Sequence, residues 1–281
     1  MGELQPFGLY LDIIVEEAKR NSKRPDDYTG EDGLVYCGKC RTRKQNRIDW
    51  YDGTKKIVPV ACKCCSEQQE REKSKKRIDE LIKWSMIEPK YLKYNFENIE
   101  VNEINQRAVK ICKRYVDKFH ELFEQNQGMM FYGDTGTGKT VMAHCVANEL
   151  MKRFNSVSSL SLAKVLKSGF KSAEEETAIM NRVKSAKLLI IDDLGAERGT
   201  DYAQEFVYSV IDTRCNYEKP MIITTNLNLD DMQNCTDTKY KRIYERIIET
   251  CYPIEFRGVS WRMKNAAARY DKFTEMLGGS D

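Results

Sequence analysis

The sequence of 281 residues is poor in proline (6) and modest in glycine (16), and neither charge sign is in large excess. It has no apolar run near the ~18 residues that a membrane-spanning helix needs. With 32% charged and 41% hydrophobic residues, the scarcity of proline and glycine excludes collagen-like, low-complexity and disordered classes. The first residues, Met1-Gly2-Glu3-Leu4-Gln5-Pro6, lack a basic-then-apolar leader and the Ser or Thr at position 6 of a myristoylation signal. The expectation is a cytoplasmic protein with no membrane partner. A net charge of +3, from 46 basic and 43 acidic residues, gives no global attraction for nucleic acid, so any DNA contact must come from local patches. The two histidines, His120 and His144, fall on expected helices and read as packing or surface residues.

Cysteine is the exception to this scarcity. Five of the ten cysteines fall within 29 residues: Cys37-x2-Cys40, then Cys62-x-Cys64-Cys65. Without an export signal, clustered cysteines point to a metal rather than to disulfides. Two short chelating pairs supply the four thiolates of a closed tetrahedral Zn²⁺ site and keep the loop entropy of building it small. Spacing alone leaves the second pair open between Cys62/Cys64 and Cys62/Cys65, and thiolate count alone does not exclude an iron–sulfur cluster. So small a module has little core without its metal, which suits docking better than catalysis.

The length fits one large and one small domain at ~100–200 residues each. Apolar residues at Leu9, Leu11, Ile13 and Ile14 predict an N-terminal helix, followed by a polar loop over 21–32. Residues 66–83 carry sign-alternating charges at i,i+4 spacing, which favours a solvated connecting helix. We therefore divide the chain into 1–65 (helix and cysteine module), 66–90 (charged linker) and 91–281 (main domain). In the main domain, strands at 129–132, near 157, at 187–192, at 221–225 and near 254 alternate with helices. The helices are expected at 105–125, through Arg153, twice between 161 and 185, at 201–216, at 238–249 and from Trp261. Apolar strands interleaved with helices imply an α/β fold with a parallel sheet covered on both faces.

Residues Gly133-Asp134-Thr135-Gly136-Thr137-Gly138-Lys139-Thr140 follow one of these strands and open a helix. A glycine-rich loop there can wrap its N–H groups around phosphates at the positive end of the helix dipole. Lys139 adds a full charge, and the Thr140 hydroxyl ligates Mg²⁺. Fifty residues on, the run Leu188-Leu189-Ile190-Ile191 delivers Asp192 and Asp193 to its carboxyl end, the edge where open parallel sheets bind ligands. Asp192 suits Mg²⁺ and Asp193 the attacking water. Asn226 ends the strand 221–225, placed to bond the γ-phosphate or that water, or merely to cap the next turn. The basic stretch Lys239 to Arg246 is either a solvated face or the source of an arginine acting on a neighbour's nucleotide. Lys164, Lys167 and Lys171 suit a single-strand channel or a solvated face equally.

In order and spacing, the segments GDTGTGKT, LLIIDDLGAE, PMIITTNLNLDD and RIYERI resemble AAA+ ATPases of the DnaC/DnaI-type helicase loaders and the related IstB-type ATPases. Ile211-Asp212-Thr213-Arg214, Phe256-Arg257-Gly258-Val259-Ser260-Trp261-Arg262 and Tyr94-Asn95-Phe96-Glu97-Asn98 extend the resemblance over roughly 88–270. The resemblance implies a P-loop ATPase domain preceded by a small helical, zinc-binding domain, with ATP, Mg²⁺ and Zn²⁺ as cofactors. It makes Lys139 and Thr140 the P-loop pair, Asp192 and Asp193 the Walker B pair, and Asn226 the sensor. It makes Arg246 the arginine finger with Arg242 as competitor, and Arg262 a second sensor. It also favours Cys64 over Cys65 as the fourth zinc ligand. Where the wider family carries a catalytic Glu this chain has Asp193, one methylene shorter, which implies slow hydrolysis suited to a switch.

The partners implied are a hexameric replicative helicase docked through the N-terminal module, single-stranded DNA, and further copies of the chain, in a bacterial or phage-infected cell. An IstB-type transposition regulator and a non-hydrolysing ATP-binding adaptor are the rival readings.

Overall fold

The computed structural model describes residues 24–50, 53–170, 172–196 and 200–277. The expected helix in the first twenty residues lies outside them, as does Lys171. The described residues form two compact units divided between Arg77 and Ile78.

In the first unit, β1 (Tyr28–Thr29) pairs antiparallel with β2 (Val35–Tyr36), and β3 (Gln45–Asp49) with β4 (Lys55–Pro59). These small hairpins carry the cysteine loops and have no counterpart in the sequence reading. Their strands are two to five residues long and mostly exposed, so no apolar alternation marks them. Among its described apolar residues only Leu34, Cys37 and Cys62 are buried. A buried ion pair joins Lys44 Nζ to Asp27 Oδ2 at 2.6 Å, and Asp27 also accepts the Arg24 and Gly38 N–H groups. Helix α1 (Lys63–Trp84) starts at the second cysteine pair and runs through the division between the units. It buries no residue over its length, as its charge pattern predicts.

The second unit is built on five parallel strands: β5 (Gly128–Gly133), β6 (Val157–Ser161), β7 (Leu188–Leu194), β8 (Met221–Thr225) and β9 (Cys251–Phe256), in the spatial order β6-β7-β8-β5-β9. Successive strand residues feed opposite faces. Met129, Phe131, Leu188, Ile190, Ile222 and Phe256 pack on one side, and Met130, Leu189, Ile191, Met221 and Ile223 on the other. Helices α2 (Gln106–Asp117), α3 (Phe119–Glu124) and α4 (Lys139–Lys152) contribute to the first face. The second takes α6 (Ala173–Ser185), α7 (Asp201–Asn216) and α9 (Thr238–Thr250). Short helices α5 (Leu162–Ser168) and α8 (Leu229–Gln233) and the terminal α10 (Trp261–Met276) complete the unit. No helix among the described residues is long and apolar enough to cross a membrane.

Helix α7 and strand β8 coincide with the sequence expectation. The expected helix 105–125 is instead broken at Lys118 into α2 and α3. No Gly or Pro lies at the break. Phe119, just past the break, still packs with Tyr115 and Phe123, with ring centroids at 5.8 and 6.0 Å. The segment after α1 is fastened along the sheet edge and the P-loop helix. Ser85 O accepts the Ser159 N–H at 2.8 Å, and Asn148 Nδ2 donates to Tyr91 O (2.9 Å) and Tyr94 O (2.7 Å). This segment also holds Glu88, which pairs with Lys164.

Candidate nucleotide and metal sites

The strand order decides the site. Strand β8 lies between β5, which feeds the glycine loop, and β7, which carries the carboxylates, so Asn226 at the end of β8 sits between them. Loop 133–138 then turns into α4. Gly136 has φ +80°, and a Cβ there would lie 2.1 Å from Ser260 Oγ, so only glycine fits. The back of the loop is held by the Trp261 N–H, which donates to Gly136 O at 2.9 Å.

Lys139 is buried and its Nζ donates to Gly133 O (2.8 Å), Asp134 O (2.6 Å) and Asn226 Oδ1 (2.8 Å). Among the described residues its hydrogen-bond partners are all neutral oxygens, and burial pushes its ammonium below the usual lysine range. A buried cation so placed is complementary to an anion. One residue on, Thr140 Oγ1 donates to Asp192 Oδ1 at 2.8 Å. A hydroxyl and a carboxylate so paired are oxygen donors of the kind Mg²⁺ takes.

Thr224, a residue the sequence reading passed over, sets both carboxylates. Its Oγ1 donates to Asp192 Oδ1 (2.7 Å) and accepts the Asp193 N–H (2.9 Å). Asp193 has φ +55° at a shift of register between β7 and β8, a strained backbone for a residue with a side chain. Burial first, and then Asp192, push its carboxyl above the ordinary aspartate range. Arg262 on α10 is near enough for its charge to act on both Lys139 and Asp193. Beside the loop, a cavity of about 240 Å³ is lined by Tyr94, Asn98, Ile99, Val141 and Trp261. The segment Tyr94 to Asn98 is thus placed against the phosphate loop.

His144 is a packed residue. It is buried one turn after Thr140, stacked on Tyr91 (centroids 4.2 Å), with Nδ1 2.7 Å from Thr140 O and Nε2 3.2 Å from Ser159 Oγ. His120 is exposed. Arg246 on α9 does not join this constellation: it pairs with Asp212 and Tyr208 of α7. Arg242 and Arg246 line one surface cavity beside α7.

In the first unit the sulfurs of Cys37, Cys40, Cys62 and Cys64 all lie within 4.8 Å of one another, with Cys64 Sγ 3.6 Å from Cys37 Sγ and 3.5 Å from Cys62 Sγ. Cys65 is not part of the group, since one more helical residue rotates its side chain by about 100°. A hydrogen bond from Thr42 holds the Cys40 thiol well below the usual range, whereas contact with Cys62 and burial push Cys64 up. Four sulfurs this close suit a divalent cation that takes them as thiolates.

A family model described as IstB-like ATP binding protein matches residues 64–268. The chain belongs to that family. This places it among AAA+ P-loop ATP-binding proteins, and the fold described above agrees.

Among curated relatives, the replicative helicase loader DnaC of Escherichia coli (strain K12) is 28% identical over 168 residues, 58% of this chain and 67% of DnaC. The loader DnaI of Bacillus subtilis (strain 168) is 24% identical over 213 residues, 70% of this chain and 67% of DnaI. A crystal structure of DnaI shares the fold with a TM-score of 0.53 at 24% identity, covering 62% of this chain and 96% of that one. A crystal structure of the DnaC helicase loader does so with a TM-score of 0.51 at 22% identity, covering 60% and 100%.

Proposed function

We propose that this chain is an ATP-switched loader that brings a hexameric replicative helicase onto single-stranded DNA. The observation that carries the reading is the meeting of Lys139, Thr140, Asp192, Asp193 and Asn226 at one sheet edge, in a chain homologous to DnaC and DnaI. Residues 1–65 act as docking module, 66–90 as connector and 91–281 as ATPase.

In this reading the N–H groups of the loop and Lys139 hold the phosphates, Lys139 exchanging its carbonyl partners for phosphate oxygens. The cavity beside Tyr94 and Val141 takes the base. Thr140 and Asp192 hold Mg²⁺, which when bound neutralises charge on the β- and γ-phosphates. Asn226 orients the attacking water and Asp193 takes its proton. Arg262 adds charge in the same chain, and Arg246 completes the site of an adjacent copy. Because the Asp193 carboxylate is short, hydrolysis is slow, and because Arg246 comes from an adjacent copy it requires assembly. Cys37, Cys40, Cys62 and Cys64 hold Zn²⁺, whose role is to close a unit with little apolar core of its own.

The test uses the full chain with the host's replicative helicase. Co-elution of the two, and ATP-dependent transfer of the helicase to single-stranded DNA, are expected. Cys64→Ser should lose bound zinc and helicase binding while keeping ATP binding, and Cys65→Ser should lose neither. The IstB-like family assignment supports a second reading, a transposition regulator. Binding to a transposase and duplex DNA with no affinity for the helicase would favour it.

A further inference from the structure

Helix α7 presents Tyr208, Asp212 and Asn216 at intervals of four, which puts them on one stripe. Opposite that stripe stands Arg246 of α9. Asp212 Oδ1 lies 2.7 Å from Arg246 Nη2, and Asp212 Oδ2 accepts a hydrogen bond from Asn216 Nδ2 at 2.8 Å. The guanidinium carbon lies 5.5 Å from the centre of the Tyr208 ring, and Nη2 lies 3.4 Å from Tyr208 Oη. The Arg246 side chain is 32% exposed and borders an open surface cavity of about 490 Å³.

An arginine at a surface samples many rotamers and loses that freedom each time it must meet a phosphate in one geometry. Here most of that freedom is already removed. A carboxylate fixed by its own amide partner grips the guanidinium, and an aromatic ring supports its plane. The ion pair and the Tyr208 contact both fall on Nη2, and the Cys215 sulfur is a further hydrogen-bond partner of the guanidinium. A guanidinium has five N–H donors in a planar fork, so these contacts leave donors for an incoming anion.

We infer that Asp212, braced by Asn216, is the positioning residue of Arg246, fixing its guanidinium for the triphosphate bound by an adjacent copy of the chain. The inference rests on the reading of Arg246 as the arginine that acts between copies. It assigns to the Ile211-Asp212-Thr213-Arg214 segment a part in hydrolysis that its position on α7, away from the phosphate loop, does not announce.

Complementation between two full-length variants tests it. Lys139→Ala removes nucleotide binding but leaves an intact Arg246, so this chain serves as donor. Arg246→Ala binds ATP but has no arginine to give, so it serves as acceptor. Each alone should be inactive, and an equimolar mixture at assembling concentration should hydrolyse ATP.

Adding Asp212→Ala to the donor is expected to lower kcat of the mixture about tenfold, with KM for ATP unchanged within about twofold. Adding it to the acceptor, which has no arginine to orient, should leave the mixture's rate where it was. Asp212→Asn on the donor, which keeps an acceptor oxygen, should fall between. A purely structural role would depress both arrangements alike and would overturn the inference. So would a donor substitution that leaves the rate unchanged, or one that raises it, which would make Asp212 a restraint on Arg246. A mixture that never regains activity removes the finger reading itself, and this inference with it. Unfolding midpoints of the variants, measured alongside, show whether a loss reflects the fold.

Discussion

Lys139 Nζ and Asn226 Oδ1, 87 positions apart in the chain, lie 2.8 Å from each other. The amide thus holds the lysine where phosphates are expected, and the pair joins the glycine loop to the end of the adjacent strand. Asn226→Ala is expected to bind ATP within about threefold of the parent and to lower single-turnover hydrolysis about 100-fold, the scale for losing one preorganised polar group. Lys139→Ala should abolish binding itself. Nucleotide titration together with rapid-quench hydrolysis separates the two.

Asp193 combines a strained backbone, φ +55°, with a carboxyl held above the ordinary range by burial and by Asp192. An acid whose folded pKa is raised stabilises the fold below its unfolded pKa, and that contribution is lost as pH rises through the folded value. At neutral pH its ionised form is therefore a burden. Asp193→Asn is expected to raise the thermal midpoint of the nucleotide-free protein by about 2 °C while reducing hydrolysis at least about 100-fold. Asp193→Glu should speed basal hydrolysis about tenfold by reaching further toward the water. Calorimetry and single-turnover kinetics check both.

In the cysteine-bearing unit, the hydrogen bond from Lys44, helped by the Arg24 N–H, lowers the Asp27 carboxyl to about 2. The unfolded value is near 3.9. A depressed carboxylate stabilises the fold above its unfolded pKa, and the contribution fades as pH falls through the folded one. The window is thus about pH 4 down to pH 2. Carbon-detected NMR titration should place the Asp27 midpoint near 2. Asp27→Asn should unfold more easily at pH 7 and show a flatter acid limb in urea than the parent. An Asp27 midpoint near 4 would contradict the pairing.

Arg214 is fully buried, with no carboxylate partner among the described residues. Its guanidinium donates to the backbone carbonyls of Val183, Ala186, Lys187 and Pro220, and burial lowers its pKa to about 9. It ties the end of α6 and the start of β7 to the turn before β8. Arg214→Ala removes a donor from each of these carbonyls, of which Pro220 O keeps the Leu189 N–H, and should cost about 3 kcal/mol in urea unfolding. ATP affinity at temperatures below the transition should change little, because none of these carbonyls belongs to the phosphate site.

The sequence is most legible where one rule acts alone. Residues 188–191 are apolar on both faces, so they read as a buried strand, and the glycine spacing of 133–138 has few other uses. Legibility fails where packing chooses among acceptable local structures. Lys118 interrupts a helix that carries no Gly or Pro, and Tyr115, Phe119 and Phe123 keep helical spacing across it, so nothing local marks the break. Thr224 reads as one more β-branched strand residue until its hydroxyl is seen between Asp192 and the Asp193 N–H. Arg214, quoted only as part of a family segment, is a structural residue that no charge pattern announces, since its partners are carbonyls.

By itself the sequence determined the alternation of strands and helices in the second unit and where the glycine loop, the paired carboxylates and the clustered thiols fall along the chain, since periodicity and side-chain chemistry are local properties. Only the tertiary structure decided that β8 lies between β5 and β7, that Cys64 and not Cys65 joins the other three sulfurs, and that Asp212 meets Arg246. These are distances between residues far apart in the chain. They are set by how apolar faces close over the sheet and by the rotation of each helix, and neither is a property of any single stretch of sequence.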